Sequence, residues 1–369
     1  MQHINLSYSW TPHSENASSR NRLSPMRNPL MDTLQAVRES GSIAAAAKSM
    51  QLSYRHVWGE LKRWEQALNQ PLILWEKGQA ARLSEFADKL LWAERQAQAR
   101  LVPQISALQA ELEKTFAVAF DANSHLLTVY ASHDDALVHL REHCASQSLH
   151  LDMRFCGSVD ALRALNEGRC NVAGFHAPMQ PPPHSLIART YKPLLKTGQH
   201  KLIGFALRQQ GLMVAPGNPR RIHQLSDLTQ PGIRYINRSL GTGTRLLLDD
   251  ALETAGLASS QINGYEQEET SHAAVAACVA SGQADAGLGI ASAAQAQGLD
   301  FVPLMQECYW LVCLKSVLET PSVQALTREL QSDHWQQQMR TLTGYEATPL
   351  SGQVQSLKKA LPWWRFKNG

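Results

Sequence analysis

The segment 237–245, NRSLGTGTR, combines residue types that bind an anion. It joins an apolar stretch to a helical one, and its glycines let the backbone approach a ligand closely. The free N–H groups and the dipole at a helix start favour negative charge, and hydroxyl and guanidinium groups add donors. The anion-binding residues that we expect here are Arg238, Gly241, Thr242, Gly243, Thr244 and Arg245. The alternative is a tight turn before a capped helix, with Arg245 on the solvent face.

Polar residues also end strands or open helices at other points of the same region. We expect Ser132, His133, Asp134, Ser158, His176, Ser271 and His272 to contribute to the same ligand site. A carboxylate repels a bare dianion, so Asp134 must orient His133 or accept a hydrogen bond from a ligand hydroxyl or amine. One histidine is more often an ordinary polar residue, whereas three at predicted cleft edges favour a binding site.

Motifs of enzymes and metal sites are absent from the sequence. There is no Gly-x-Ser-x-Gly elbow, P-loop or His-Glu-x-x-His, so we expect no catalytic residues. The six cysteines are Cys144, Cys156, Cys170, Cys278, Cys308 and Cys313. Their spacing matches no metal site, which predicts scattered thiols in a reducing cytoplasm and no metal ligands.

The elements that must position the anion-binding residues alternate between strand and helix. Strands are predicted at 126–130, 151–155, 172–175, 202–207, 234–237 and 286–290. Helices are predicted at 134–144, 158–167, 244–255 and 272–281. This α/β order predicts parallel sheets, with binding groups at strand carboxyl ends and helix starts. We expect a ligand-binding domain at 124–350 with two lobes, the first at 124–208 and 309–350 and the second at 209–308. The hinges are predicted at 207–213 and 308–313.

The segment 42–65, SIAAAAKSMQLSYRHVWGELKRWE, predicts two helices joined by a tight turn. Ser42 and Ser53 are the expected N-caps, and Leu52 between them is expected to be buried. An apolar stripe with helical spacing follows at Val57, Leu61, Trp64 and Leu68. The basic residues point elsewhere, which is the layout of a helix-turn-helix that binds DNA. The alternative is a helical hairpin with solvated charges.

The flanking segments favour DNA binding. A third helix at 30–40 and two short strands, 71–75 and 81–83, around a turn at 76–80 predict a winged helix-turn-helix at 28–84. The predicted DNA contacts are Ser53, Tyr54, Arg55, His56, Lys62, Arg63, Lys77 and Arg82. Residues 1–115 hold 14 Lys and Arg against 11 Asp and Glu, while the remainder is balanced at 21 against 21. The whole positive excess therefore lies where DNA is expected.

Three further regions complete the chain. Residues 1–27 are polar and predict a disordered arm without a secretory signal. Residues 85–118 predict a long amphipathic linker helix, kinked or broken at Pro103, that dimerises the protein. Residues 351–369 form an aromatic and basic tail that we expect to dock on a neighbouring surface. No stretch is apolar enough to span a membrane.

Specific motifs in both domains resemble known families. SGSI at 40–43, AAK at 46–48, SYR at 53–55 with Trp58, and LS at 83–84 resemble the molybdate-responsive repressor and LysR-type regulators. QGLMVAPGNPRRIHQLSDL at 210–228, NRSLGTGTRLLLDDAL at 237–252 and ADAGLGIASAA at 284–294 resemble type 2 periplasmic-binding-protein-like domains. Similar domains are fused to helix-turn-helix modules and to molybdenum-cofactor biosynthesis proteins.

These resemblances imply a cytoplasmic transcriptional regulator that binds a double-stranded DNA operator as a homodimer or higher even oligomer. They imply a small anionic effector, namely molybdate, tungstate or a molybdopterin-type cofactor, with no covalently bound cofactor. The alternative is a molybdenum-cofactor-binding or biosynthesis-associated protein whose main activity is ligand binding rather than DNA binding. An enzyme is the competing class, and it leaves the DNA-binding module without a purpose.

Overall fold

The computed structural model describes residues 28–74, 80–120, 125–346 and 348–366, apart from the side chains of 113, 114 and 116–120. The chain divides into two compact units, Met1–Val102 and Pro103–Gly369. The first unit holds helices α1 (Pro29–Ser40), α2 (Ile43–Ser49) and α3 (Tyr54–Leu68), strands β1 (Ile73–Leu74) and β2 (Arg82–Leu83), and the start of helix α4 (Glu85–Phe120). The strands pair antiparallel as the two strands of a wing.

Side-chain caps fix the helix boundaries of the first unit. Asn28 caps α1, Ser42 caps α2 by accepting from Ala45 N, and Ser53 caps α3 by accepting from His56 N. Both predicted serine caps are therefore confirmed. The predicted burial of Leu52 is wrong, because its side chain is 41 % exposed in the turn before α3. The turn needs only the backbone of Leu52, whose N–H donates to Ala47 O.

The core of the first unit forms on the apolar stripe of α3. Val57 and Leu61 are buried, and Trp64 and Leu68 pack partly buried against the same cluster, as the spacing predicts. Other members are Leu34, Val37, Ala46, Leu72, Leu83 and Leu91. The predicted turn at 76–80 falls mainly outside the described residues, and Lys77 is among those not described.

Helix α4 runs without interruption through Pro103 for 36 residues. The predicted break at this proline is therefore wrong, although the residue still removes one backbone donor from the helix. Leu91, Ala99 and Ala110 are buried along α4, whereas Leu108 is 55 % exposed. The dimerisation role of this helix stays a prediction.

The second unit contains the two-lobed α/β domain. Its first part holds β3 (His125–Ala131), α5 (Asp135–Ala145), β4 (Leu149–Phe155), α6 (Ser158–Asn166), β5 (Val172–Pro178), α7 (Leu186–Tyr191) and β6 (His200–Val214). Its middle part holds β7 (Tyr235–Arg238), α8 (Gly243–Ala255), β8 (Glu268–Glu269), α9 (His272–Ala280), β9 (Ala286–Ile290), α10 (Ala291–Ala296) and β10 (Asp300–Leu314). Its last part holds α11 (Pro321–Gln331), α12 (Asp333–Thr341), β11 (Tyr345–Glu346), β12 (Val354–Ser356) and α13 (Leu357–Ala360).

One sheet, in the order β4-β3-β5-β10-β6-β9-β7-β8, passes through both lobes. β3 is parallel to β4 and β5, and β7 is parallel to β8 and β9, but β10 pairs antiparallel with β5 and β6. The predicted parallel pairing is therefore confirmed for β3, β4 and β5 and for β7, β8 and β9, but it is wrong for β6 and β10. The reason is that β6 and β10, each 15 residues long, run side by side through both lobes and join them.

The aromatic tail docks as expected. Trp364 is fully buried and its ring lies 6.4 Å from the rings of Phe175 and Tyr191. β12 pairs with β6, so the first lobe continues beyond residue 350. Among the described residues, no helix is both long and apolar enough to cross a membrane.

Candidate ligand site and nucleic-acid interface

A buried polar cluster lies between the two lobes, where several helices begin. Asp134, Gly157, Thr242 and Ser271 are the N-cap residues of α5, α6, α8 and α9. The cluster consists of Ser132, Asp134, Ser158, His176, Arg208, Gln210, Arg238, Thr242, Thr244, Ser271, His272 and Glu307, each at most 8 % exposed, together with the partly buried His133. Most of its members are residues that the sequence predicts for the ligand site.

Glycines let the two lobes meet around this cluster. A Cβ atom on Gly157 of the first lobe would lie 2.5 Å from the carbonyl oxygen of Gly241 in the second. A Cβ atom on Gly243, the first residue of α8, would lie 3.2 Å from both His176 Cδ2 and Ser158 Oγ. Gly241 has a φ of +83°, a backbone conformation that favours glycine. The start of α8 therefore packs directly on the first lobe.

Arg208 is a buried cation whose charge is fully compensated. Its guanidinium forms short contacts with the carboxylates of Asp134 and Glu307. Tyr345 Oη donates to Asp134 Oδ2 at 2.8 Å, and Gln210 Nε2 donates to Glu307 Oε1 at 3.0 Å. Burial opposes the charge of Arg208, but the two carboxylates outweigh it and raise the pKa of the guanidinium. Arg208 and Tyr345 thus bind the carboxylate of Asp134, so its negative charge is compensated and its repulsion of an anionic ligand is reduced.

The other residues of this network are not among the ligand-site residues predicted from the sequence. Arg208 and Gln210 lie on β6 and Glu307 lies on β10, where the strands pass from one lobe to the other and their register shifts. Tyr345 lies on β11. Their signal in the sequence is a charged or amide residue inside an otherwise apolar stretch, LIGFALRQQGLMV for β6 and LMQECYWLVCL for β10. The predicted hinge segments contain Arg208 and Gln210 and adjoin Glu307.

Arg238 is a second buried cation, and no carboxylate compensates it within 4 Å among the described residues. The residue is 2 % exposed, and its Nη1 donates to Glu269 O at 3.0 Å. Its Nε has no hydrogen-bond partner in the described part of the chain. Burial, followed by the charge of Arg208, lowers the pKa of Arg238 to about 9, although Glu269 acts against this. A buried cation in this state attracts an anionic ligand.

Three histidines in the cluster have ring nitrogens without a hydrogen-bond partner in the described chain: both nitrogens of His176, Nδ1 of His272 and Nε2 of His133. Burial, then the charges of Arg208 and Arg238, holds the pKa of His176 well below 6.5. Burial and the same two arginines, Arg238 first, do the same for the pKa of His272. The pKa of His133 is also lowered, chiefly by burial. Neutral imidazoles each offer one donor and one acceptor.

Some predicted ligand residues have other roles in the structure. Arg245 lies apart from the cluster, because its guanidinium contacts Asp249 at 3.3 Å and Glu268 at 3.0 Å and lies 4.1 Å from the ring centre of Tyr265. The Thr242 hydroxyl caps α8 and donates to Ser239 O at 2.7 Å. The Ser271 hydroxyl caps α9. Thr244 Oγ1, in contrast, lies 3.3 Å from Gln210 Nε2 and 3.5 Å from His272 Nε2, inside the cluster.

The predicted DNA-contacting residues lie on the exposed face of α3. Tyr54, Arg55, His56, Lys62 and Arg63 are all exposed. Two aromatic rings lie on this face. The rings of Tyr54 and Trp58 are stacked with 6.4 Å between their centres, and Lys62 Nζ lies 4.8 Å from the Trp58 ring centre. Lys62 pairs with Glu65 at 2.7 Å and Arg63 with Glu60 at 2.5 Å, each within α3. Arg82 lies on wing strand β2, and Ser53 caps α3.

Glu65 joins α3 to the wing. Its Oε1 accepts hydrogen bonds from the backbone N–H groups of Leu72 at 2.8 Å and Ile73 at 3.2 Å. Burial would raise the pKa of this carboxylate, but hydrogen bonds from Lys62 and the two backbone groups lower it. Glu65 therefore fixes α3 relative to the first wing strand, β1.

Comparisons with known proteins match both domains. Residues 30–88 match the bacterial regulatory helix-turn-helix proteins of the lysR family, and residues 140–331 match the PBP superfamily domain. The uncharacterized protein YvgK of Bacillus subtilis (strain 168) is 36 % identical over 202 residues, which make up 54 % of this chain and 64 % of that protein. An uncharacterized protein in the ferredoxin 2Fe-2S gene 5' region of Clostridium pasteurianum is 34 % identical over 102 residues, or 27 % of this chain and 90 % of that protein.

Solved structures give distant similarities. The full-length regulator LysG from Corynebacterium glutamicum with bound effector Arg has 16 % identity and a TM-score of 0.38, with 82 % of this chain and 96 % of that chain covered. ArgP from Mycobacterium tuberculosis has 17 % identity and a TM-score of 0.39, with 82 % and 96 % covered.

Proposed function

We propose that this chain responds to a small anionic effector bound at Arg238. The chain belongs to the PBP superfamily and is a LysR-type DNA-binding transcriptional regulator rather than an enzyme. The observation that carries the proposal is the burial of the Arg238 guanidinium without a carboxylate partner within 4 Å in the described chain. An isolated buried charge destabilises a fold unless a partner compensates it. An anion between the lobes supplies that partner.

The proposed effector is molybdate or tungstate. Either would meet the Arg238 guanidinium, the Thr244 hydroxyl and the backbone at the start of α8, all of which offer hydrogen-bond donors. The resemblance of both domains to molybdenum-linked proteins supports this choice.

A molybdopterin-type cofactor is the second candidate, and one observation favours it. Gln210 Oε1 is a buried acceptor without a partner in the described chain, and a pterin offers N–H donors.

On the DNA side, we propose that Arg55, Lys62 and Arg63 on α3 contact an operator, with Tyr54 and His56 near the groove, Arg82 on the wing, and the chain acting as a homodimer in the cytoplasm. Arg55 and His56 are exposed and carry no carboxylate contact within 4 Å in the described chain. Lys62 and Arg63 must exchange an intrahelical carboxylate for a phosphate. Exposed ion pairs of this kind contribute little to stability, so the exchange is nearly neutral.

Helix α5 offers a path between the ligand site and α4. Its N-cap, Asp134, contacts Arg208 inside the cluster. Seven residues further along, the buried Arg141 donates from Nη1 to Ser106 O on α4 at 2.8 Å. Closure of the lobes on an effector would therefore move α5 and, through Arg141, the helix that continues into the first unit. We expect a coupling of about 1–3 kcal/mol between effector and DNA affinity.

Fluorescence anisotropy tests the proposal with the full chain and a duplex that the chain itself selects from a random DNA pool. Sodium molybdate and sodium tungstate should shift the DNA dissociation constant by about 5- to 150-fold relative to sodium chloride at the same ionic strength, which controls for the salt dependence of DNA binding. Selection of no duplex would overturn the regulator function and favour a protein that only binds the ligand. Selective DNA binding that neither oxyanion alters would remove both as effectors.

A further inference from the structure

Summed over the whole buried cluster, the charges leave no positive excess before any ligand enters, because Arg208 contacts two carboxylates whereas Arg238 has none within 4 Å in the described chain. Arg208 and Arg238 supply two positive charges, and Asp134 and Glu307 supply two negative ones. The buried carboxylate of Glu269 also attracts Arg238, so counting it makes the sum no more positive. A dianion added to this cluster would leave buried negative charge uncompensated. Such a site needs a further positive charge when the ligand binds.

His176 is the group best placed to supply that charge. Its Nδ1 lies 3.7 Å from Glu307 Oε1, and its ring centre lies 3.8 Å from that of Tyr309. The ring also faces Gly243 at the start of α8, so it borders the anion-binding end of that helix. Arg208 and Arg238 are the cations that act on it, and burial together with these cations keeps it neutral in the free protein by lowering its pKa.

The two neighbouring histidines are less suited to hold a proton. His272 is surrounded by Arg238, Arg208, His176 and His133, and its contact within the cluster is the Thr244 hydroxyl rather than a carboxylate. The ring of His133 packs edge-on against that of Phe155, with 4.8 Å between the ring centres. The charges of Asp135 and Asp134 favour its protonation, whereas the charge of Arg238 opposes it. Asp134 is already bound by Arg208 and Tyr345.

We propose that binding of the dianion is coupled to the uptake of one proton by His176, whose imidazolium then donates one N–H to Glu307 and the other to the ligand. This inference rests on the proposed function. The proton comes from solvent, and no covalent bond of the ligand changes. Because the anion stabilises the charged ring, the pKa of His176 is higher in the complex than in the free protein. Between those two pKa values, affinity rises as pH falls, by at most about tenfold per pH unit for one proton.

Isothermal titration calorimetry on the full chain with sodium molybdate tests the coupling. Titrations near pH 7 in two buffers of different ionisation enthalpy, such as MOPS and Tris, give the number of protons taken up for each molybdate bound. We expect about one proton in the unmodified chain, in the pH range where affinity depends on pH. His176→Asn should bind molybdate more weakly, with no uptake and a flat pH profile.

A matched control is His200→Asn. His200 is also buried and also has a lowered pKa, but its Nδ1 accepts from Lys196 N at 2.9 Å outside the cluster. This variant should keep the full proton uptake. Circular dichroism should verify that both variants are folded, and the buffer comparison on the unmodified chain tests the uptake without any variant.

The possible failures are distinct. Molybdate binding with no proton uptake over the range from pH 5.5 to pH 8 would overturn the coupling and leave the proposed function intact. Uptake that survives His176→Asn but disappears in His272→Asn would overturn the assignment to His176. Absence of molybdate binding at every pH would overturn the effector proposal, and the coupling with it.

Discussion

The two functional regions of this protein hold their positive charges in opposite ways. On α3, Lys62 and Arg63 are exposed and each is paired with a glutamate on its own helix. In the cleft, Arg238 is buried and lacks a carboxylate within 4 Å in the described chain. The first arrangement is stable without a ligand. The second leaves a buried cation without a carboxylate contact, and the proposed anion would supply one.

This difference implies different responses to solution conditions. Contacts between exposed basic residues and DNA phosphates release counterions, so DNA affinity should fall steeply as salt rises. A charge pair formed inside the closed cleft is shielded from mobile ions. Effector affinity should therefore change little over the same salt range, and calorimetry and anisotropy at matched salt concentrations compare the two.

The largest expected effect comes from Arg238→Met, which removes the uncompensated cation and keeps most of the side-chain volume. Effector affinity should fall by about 2–5 kcal/mol, as it does when one partner of a buried charge pair is lost. The ligand-free protein should be no less stable, because the buried charge is gone. Calorimetry and thermal unfolding measure the two effects.

Arg245→Met is the matched control for that prediction. Arg245 follows Arg238 by seven residues, but it is buried in α8 and paired with Asp249 and Glu268 apart from the cluster. Its removal should therefore leave effector affinity within about twofold while lowering the stability of the fold, because the lost ion pair is buried. Equal losses in the two variants would contradict the distinction between the compensated and the uncompensated arginine.

The next effect concerns Arg55, which is exposed and has no carboxylate to leave before it binds DNA. Arg55→Ala should weaken specific operator binding by about 1–3 kcal/mol if the side chain reads a base. A phosphate-only role would weaken all sequences alike and reduce the salt slope. Lys62→Ala should have a smaller effect, because Lys62 must first leave its ion pair with Glu65 before it can contact DNA. Unchanged binding by the double variant at physiological salt would show that α3 is not the recognition helix.

Gly157→Ala tests whether the cleft must close on its ligand. The backbone angles of Gly157, φ −64° and ψ 153°, suit alanine, so any effect comes from the contact with Gly241 in the other lobe. The added methyl should hold the lobes apart and weaken effector binding by about 1 kcal/mol or more, the usual range for overpacking. Thermal stability without effector should fall as well, because the added Cβ would lie 2.5 Å from the backbone carbonyl oxygen of Gly241 in this structure. Calorimetry on the variant measures the loss of affinity. Full affinity would mean that the Gly157–Gly241 contact is not required for binding.

Gly59→Ala is the smallest of these changes and the counterpart on the DNA-binding side. Gly59 is an exposed residue in the middle of α3, and a Cβ atom added there meets no atom within 4 Å. Alanine in a helix interior stabilises by about 0.5–1 kcal/mol over glycine. Denaturant unfolding should show that gain. A loss of stability would contradict the open environment of Gly59, while weaker DNA binding in a stabilised variant would place this position against the groove.

Local patterns allowed much of this structure to be predicted. The caps Ser42 and Ser53, the stripe from Val57 to Leu68, and the strand and helix order of the second unit follow from short-range periodicity and turn residues. The sequence also predicts that Arg238 and Thr244 lie close together, because a strand–glycine–helix connection has a recognisable sequence; their role in ligand binding stays a prediction. Such features depend on neighbours only a few residues away.

The remaining features depend on contacts between distant residues. Arg208 meets Asp134 and Glu307 only because β6 and β10 bring residues from three parts of the chain together. Arg245 looked equivalent to Arg238, and its separation from the cluster depends on which side of α8 faces Tyr265. The exposure of Leu52 shows that an apolar residue in a tight turn is not necessarily part of a core.

The position of β10 in the sheet has a consequence for how the protein is made. This strand lies between β5 and β6, and its Trp310 pairs with Phe175. During synthesis, the ribosome must therefore extend the chain from residue 175 to residue 310 before the first lobe can complete its sheet. At about 5–20 residues per second, that wait is on the order of ten seconds. The second lobe, whose core residues run from Leu212 to Leu288, is translated within that wait. We therefore expect the second lobe to fold first on the nascent chain, while the exposed edge of β5 is a point where a chaperone can bind or where aggregation can begin.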